Sequence, residues 1–334
     1  MIKTPEVTII LPVHGDAPHL GETLESVLNQ TFENWELLIL LDRPSRPIEG
    51  FSLRTAGRDS RIKVHKSKHP GLVAALNMGI SESSAPLIAR IDADDLMRPD
   101  RLEKQLKEMA NRPNLVCLGS QIAFIDVESQ LVGASKFPNH PKQVRLALPA
   151  TNCIAHPSVV LRKDAVEKVG GYLENLDGVE DYHLWLKLLQ VGDVANHPEK
   201  LTLYRIHPNQ MSRKNEVING HLESLARIDV FSVIKPLGQG PWAEQLTAMT
   251  KAQRAVTVGL LEDSLPLKTR MSLRANRNLS YFLRSTGFPK VKPLIVALLC
   301  TPVRTLLVVS MLFILYRVNP MRRQFFGSNT EEET

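Results

Sequence analysis

Three carboxylates crowd together in Leu87-Ile-Ala-Arg-Ile-Asp92-Ala-Asp94-Asp95, where an apolar run of strand character ends. Like charges at this spacing repel, and stability alone gives no reason to gather them there. A hard divalent cation resolves the conflict, since Mg²⁺ or Mn²⁺ takes carboxylate oxygens and keeps positions open for substrate phosphates. The plainer alternative is that Asp94 or Asp95 caps the turn leading to Pro99. A second acidic pair, Glu180-Asp181, precedes a segment carrying Leu184, Trp185, Leu188 and Leu189 on one helical face. Asp181 there either complements the helix dipole or, partly desolvated in a cleft, serves as a general base.

The elements that must hold these acids are legible in the first half of the chain. Val7–Val13 is a nearly continuous apolar run, the pattern of a strand buried on both faces. Leu20, Leu24, Val27 and Leu28 then recur at helical spacing. Glu36–Leu41, Arg61–His65 and Leu87–Ile91 read as further strands, and Gly71–Glu82 and Pro99–Asn111 as helices. Strand and helix alternating in this order predict an α/β domain with a mostly parallel sheet. Ligands of such sheets bind at the carboxyl ends of the strands, where the Asp92 cluster lies. From about Val116 the pattern predicts shorter strands and looser connections, and beyond Ser212 it predicts helices over Glu216–Ile234, Trp242–Leu261 and Leu267–Leu283.

Composition narrows the classes. The chain has 334 residues, 43% hydrophobic and 23% charged, an ordinary globular balance that excludes wholesale disorder. Cys117, Cys153 and Cys300 lie far apart with no C-x-x-C spacing, against a disulfide framework or a thiolate zinc site. Aromatics are only 5%, without basic-aromatic interleaving, against a nucleic-acid partner. No basic leader or small-residue cleavage site surrounds Val7–Val13, so the catalytic region is expected in the cytoplasm.

Taken together, Ile10-Leu-Pro12-Val-His14, Leu40-Leu-Asp42, Gly71-Leu-Val-Ala-Ala-Leu-Asn77, Asp92-Ala-Asp94-Asp95, Pro99-Asp-Arg-Leu, His156-Pro-Ser158, Gly170-Gly-Tyr172, Glu180-Asp181-Tyr-His-Leu-Trp185 and Tyr204-Arg-Ile-His207 form an ordered series. The series resembles inverting family 2 glycosyltransferases of the GT-A fold, the bacterial surface-polysaccharide type, from about Val7 to Ser212. The resemblance implies a nucleotide-sugar donor, with Pro12 and His14 lining the base and Asp42 accepting from its ring N–H. It implies that Asn77 shapes the donor pocket and that Asp92 contacts the donor ribose or sugar. Asp94 would ligate the divalent metal, Mn²⁺ or Mg²⁺, with Asp95 orienting its neighbours and His207 as an additional ligand. Asp181 matches the catalytic base of a single in-line displacement, with Glu180, Trp185 and His156 on the acceptor side. One departure is plain: the family's paired acids followed by Gly-Ser are replaced by Leu41-Asp42-Arg43-Pro44-Ser45, which leaves a UDP-sugar as the leaning rather than a fixed preference.

The carboxyl-terminal third has a different character. Residues 294–316 form the most apolar stretch, 23 residues long but interrupted by Pro302 and Arg304. Basic residues flank it on both sides, and no acid occurs between 290 and 323. This is expected to associate with the anionic cytoplasmic face of the cell membrane, lying in it, re-entering or spanning it, the soluble alternative being a buried helix packed on Trp242–Leu283. Association would bring the domain to a glycan or lipid-linked acceptor. The expected organisation is a catalytic domain over 1–213, a helical extension over 214–289, the membrane-associating segment over 290–323 and an acidic tail over 324–334. Two other readings compete. A sugar nucleotidyltransferase would carry a Gly- and Lys/Arg-rich phosphate loop after the first strand, and His14-Gly-Asp-Ala-Pro-His offers one glycine and no lysine. A non-catalytic nucleotide-sugar-binding scaffold would have lost Asp94 or Asp181, and both are present.

Overall fold

The computed structural model describes residues 4–148, 152–174, 176 and 178–207. The expected regions 214–289, 290–323 and 324–334 lie outside the described residues. Among the described residues, no helix is long and apolar enough to cross a membrane.

The first half follows the strand–helix alternation read from the sequence: β1 (Val7–His14), α1 (Leu20–Leu28), β2 (Trp35–Asp42), α2 (Arg46–Ala56), β3 (Ile62–Lys66), α3 (Leu72–Glu82) and β4 (Leu87–Arg90). The four strands lie parallel in the order β3-β2-β1-β4. Their alternate residues pack on two faces. Val7, Ile9, Leu11 and Val13 with Leu37, Ile39 and Leu41 share one core with Leu20, Leu24 and Val27 of α1. On β1 and β2, Ile10 and Leu40 meet α3 so closely that a Cβ on Gly79 would stand 2.7 Å from Leu40 Cδ1 and 3.0 Å from Ile10 Cδ1. Only glycine admits this approach of helix to sheet.

The chain continues through β5 (Leu96–Met97), α4 (Arg101–Asn111), β6 (Leu115–Ile125), β7 (Leu131–Ala134), α5 (Pro141–Ala147), a short 3-10 turn (His156–Ser158), β8 (Val160–Arg162), α6 (Lys163–Lys168), α7 (Glu180–Leu188) and β9 (Asp193–Arg205). These strands extend the sheet beyond β4 in the order β8-β6-β9-β5, with β7 on the outer stretch of β6. Here antiparallel pairs enter, β4 with β8, β8 with β6, β6 with β7 and β5 with β9, while β6 and β9 run parallel.

Two expectations are corrected. The region after Val116 holds the expected short strands, β7 with 4 residues and β8 with 3, but also the two longest, β6 with 11 residues and β9 with 13. Register shifts around Ser120 and Gln121 and buried polar residues such as Gln121 and Asn196 break the apolar run that would have marked them. Pro99 precedes rather than opens α4. Asp100 is its N-cap residue, and the Pro99 carbonyl instead accepts from Thr31 N–H at 2.9 Å.

Candidate active site

The sheet order reverses beside β1: the chain runs outward through β2 and β3, then returns to place β4 on the other flank. Such a switch point opens a crevice at the carboxyl ends of the strands. Pairing of β1 with β4 ends with Ile91 N–H donating to the Ile10 carbonyl at 3.2 Å. Pro12, two residues further on, carries no N–H to leave unpaired there.

At the ends of β1 and β2, His14 and Asp42 stand opposite each other in register. Asp42 Oδ2 is 3.0 Å from His14 Nδ1 and accepts from Gly71 N–H at 3.0 Å, while Oδ1 accepts from Arg43 Nε at 3.2 Å. Burial alone would raise this carboxyl, but Gly71, Arg43 and His14 together hold it below its ordinary range. Arg43 has φ 48°, in the left-handed region that a non-glycine residue seldom occupies. Its side chain remains largely exposed at the rim. The departure at Leu41-Asp42-Arg43-Pro44 thus supplies an ion pair to the acid that remains.

Past β4, carboxylate oxygens of Asp92, Asp94 and Asp95 lie within 4.8 Å of one another. Asp95 is buried; its Oδ1 accepts from Arg205 N–H at 2.8 Å, and its Oδ2 has no hydrogen-bond partner among the described residues. Burial, then the charges of Asp92 and Asp94, push its carboxyl well above the usual range. Asp92 is raised to about 6, chiefly by burial, although it accepts from Arg90 Nη2, with repulsion from Asp94 and Asp181 adding to the rise. His207 Nε2 stands 2.9 Å from Asp94 Oδ2. A hard divalent cation fits this set: converging carboxylates, one buried oxygen without a donor, and an imidazole nitrogen at the outer acid.

Across the crevice, α7 begins at Glu180. Asp181 Oδ1 accepts from Tyr182 N–H at 2.6 Å, and Oδ2 accepts from Asn152 Nδ2 at 2.9 Å. Glu180 is buried and accepts from Gly178 N–H at 2.5 Å. Burial and then the Asp181 charge raise it to about 7. His156 lies behind this pair, its Nδ1 3.9 Å from Glu180 Oε1 and its Nε2 2.8 Å from the Tyr172 hydroxyl. Burial, and the Arg90 charge after it, hold His156 neutral, with its pKa well below the usual value.

Several residues take places the sequence did not specify. Trp185, expected on the acceptor side, is fully enclosed and meets His156 edge-on with ring centroids 5.6 Å apart, so it acts as a wall behind that histidine. Asn77, expected at the donor pocket, clasps the Tyr172 backbone: Nδ2 donates to the Tyr172 carbonyl at 2.8 Å, and Oδ1 accepts from Tyr172 N–H at 3.0 Å. Arg90 and Asn152 were not singled out from the sequence, and Tyr172 and Arg205 stood there only within Gly170-Gly-Tyr172 and Tyr204-Arg-Ile-His207, with no role of their own. Arg90 is buried beside both acidic groups. Burial works against its charge, but Asp92, Tyr172, Asp95 and Glu180 hold the guanidinium above its usual range. An arginine two residues before an acidic cluster in a buried strand was the available signal for it.

Comparison with known proteins agrees with the fold. A mannosyltransferase, PcManGT from Pyrobaculum calidifontis, solved with GDP-Man and Mn²⁺, superposes with a TM-score of 0.54 at 16% identity over 84% of this chain and 87% of that one. S. aureus TarS 1-349, solved with UDP-GlcNAc, superposes with a TM-score of 0.53 at 11% identity over 82% of this chain and 81% of that one. The architecture is that of the GT-A glycosyltransferases. In sequence, the profile described as "Glycosyl transferase family 2" matches residues 8–170. The O-antigen biosynthesis glycosyltransferase WbnJ of Escherichia coli is 31% identical over 217 residues, 63% of this chain and 82% of that protein. The amylovoran biosynthesis glycosyltransferase AmsE of Erwinia amylovora is 31% identical over 198 residues, 59% of this chain and 74% of that protein. The chain belongs to glycosyltransferase family 2.

Proposed function

We propose that the protein transfers a hexosyl group from a nucleoside-diphosphate sugar to an acceptor hydroxyl with inversion at the anomeric carbon. The observation that carries this reading is the disposition of two acidic groups on independent elements facing one crevice. The Asp92–Asp95 turn follows β4, Asp181 opens α7, and the Asp181 charge bears on Asp92. Asp181 takes the proton of the acceptor hydroxyl as its oxygen bonds to the anomeric carbon. The bond from that carbon to the diphosphate breaks on the opposite face, and the nucleoside diphosphate leaves. Tyr182 N–H and Asn152 hold one oxygen each of the Asp181 carboxylate, which orients its remaining lone pairs.

Pro12, His14 and Asp42 hold the nucleoside, with a UDP-sugar as the favoured donor, and Asp92 holds the ribose or sugar. Asp94 and His207, with Asp95 beside them, would hold Mn²⁺ or Mg²⁺. When bound, such an ion supplies Lewis-acid stabilisation of the leaving diphosphate. Glu180 and His156 shape the acceptor side with Trp185 behind them. The O-antigen and amylovoran roles in the names of WbnJ and AmsE support a growing glycan or lipid-linked acceptor in cell-surface polysaccharide biosynthesis. The basic-flanked segment 290–323 would bring the domain to the inner face of the membrane. The test is calorimetric titration of UDP, dTDP and GDP with and without Mn²⁺. Metal-dependent binding of one nucleotide, lost in Asp94→Ala, is expected. Binding of none would remove the donor-site assignment and favour a scaffold without activity.

A further inference from the structure

The acidic turn has a mechanical problem: three carboxylates repel one another in a segment of loop closed on itself by a single long hydrogen bond, from Asp95 N–H to the Asp92 carbonyl at 3.2 Å. We propose that Arg205 is the positioning residue that holds this turn in cation-binding shape, acting through the backbone and from outside the set of ligands. The inference rests on the reading of Asp94 as a metal ligand.

Arg205 ends β9 and its side chain is fully enclosed. Its backbone N–H donates to Asp95 Oδ1 at 2.8 Å, and its Nε donates to the Asp94 carbonyl at 2.9 Å. One residue thereby grips the turn at two consecutive positions, the Asp95 carboxylate and the Asp94 carbonyl. The far side of the guanidinium is anchored independently. Nη1 donates to the carbonyls of Asp126 and Val127 at 3.1 and 3.3 Å and to Ser129 Oγ at 2.8 Å, and Nη2 donates to Glu22 Oε2 at 2.9 Å. Ser129 Oγ in turn donates to Glu22 Oε2 at 3.1 Å. Ser129 sits at φ 64°, a left-handed conformation strained for a residue with a Cβ; it is held where its hydroxyl meets the guanidinium. Because His207 follows two residues later and meets Asp94 Oδ2, the same anchor sets where the imidazole stands.

The planar fork of arginine is needed for this. Its donors leave in fixed directions toward the turn, the β6–β7 loop and α1, and a lysine ammonium cannot span them. Outer-shell groups that orient metal ligands typically contribute 10–100-fold to metal affinity.

The experiment is Mn²⁺ titration of the full chain, read by the electron paramagnetic resonance signal of free Mn²⁺, on the wild type, Asp94→Ala, Arg205→Lys, Glu22→Gln and Ser129→Ala. Donor kinetics follow over a range of Mn²⁺. Arg205→Lys is expected to weaken Mn²⁺ binding at least ~10-fold. Glu22→Gln and Ser129→Ala, which alter the anchor at exposed residues and leave folding secure, are expected to weaken it about 3-fold. Apparent donor KM should rise in all three variants while kcat recovers at saturating Mn²⁺. If Asp94→Ala weakens Mn²⁺ binding and the two anchor variants lose thermal stability with Mn²⁺ affinity unchanged, Arg205 is a fold residue only and the inference is overturned. If the wild type binds no Mn²⁺, or Asp94→Ala binds it as well, the metal assignment itself falls and this inference with it.

Discussion

Buried carboxylates occur at both ends of the central sheet, and they are treated in opposite ways. At the amino end, Glu36 on β2 accepts from the Thr8 hydroxyl at 2.6 Å, from Ser84 N–H and Oγ at 2.8 and 2.6 Å, and from Lys63 Nζ at 2.7 Å. Burial would raise it, yet these donors bring it down to about 2. At the carboxyl end, Asp92 and Asp95 are raised, and Asp95 keeps an oxygen without a donor. A carboxylate that serves the fold collects its donors from the protein. The crowded Asp92–Asp95 turn, unlike Asp42 and Asp181 with their donors, is left short of them, so that a cation or substrate supplies what is missing.

The largest effect expected from disturbing this contrast is at the reacting end. Asp181→Asn should lower transfer by roughly 10²–10⁴-fold while leaving calorimetric nucleotide binding at its wild-type value. Transfer that survives the substitution would remove Asp181 from the base role. At the opposite end, Glu36→Ala should cost about 3 kcal/mol in urea unfolding, because Thr8, Ser84 and Lys63 lose their shared acceptor. The pH dependence has a definite sign. The folded carboxyl is depressed from 4.5 to about 2, so its contribution is complete above about 4.5 and fades as pH falls toward 2. That contribution is about 2 kcal/mol, since Lys63 is half-exposed. A wild-type stability profile no steeper than that of Glu36→Gln in this window would refute it.

Asn152→Ala is expected to act on the rate alone. With the Asn152 donor to Asp181 Oδ2 removed, kcat should fall about 10-fold with donor KM unchanged; a rise in KM without a change in kcat would place Asn152 in binding. The smallest effect has the opposite sign from Glu36. Without metal, Asp94→Asn should raise the unfolding free energy by about 0.5–1 kcal/mol, because one of three mutually repelling charges is removed. A loss of stability in thermal melts would mean that its contact with His207 outweighs the repulsion.

The half built on β1 to β4 was open to reading from the sequence because its geometry is local. A buried parallel strand is an apolar run, its end is where the run stops, and the residue met there is His14, Asp42 or Asp92. The run itself therefore places the side chain at the carboxyl edge. The helix α2 was missed: of its eleven residues only Ser52 is buried, and Ile48, Phe51 and Ala56 pack only partly buried against the core, so its apolar stripe is short and weak. β6 and β9 were underestimated because buried polar side chains and register shifts interrupt their pattern.

The sequence by itself determined the α/β class, the strands that end in acids and, through the ordered motifs, the family. Only the tertiary structure decided which polar residues hold the site in place. Asn77 reaches Tyr172 across 95 positions, Asn152 reaches Asp181 across 29, and Arg205 reaches Asp94 across 111. The physical reason is that these contacts are hydrogen bonds from single side chains to distant backbone or carboxylate atoms. Such bonds have no period and no composition; they exist only once the sheet has brought its two halves together.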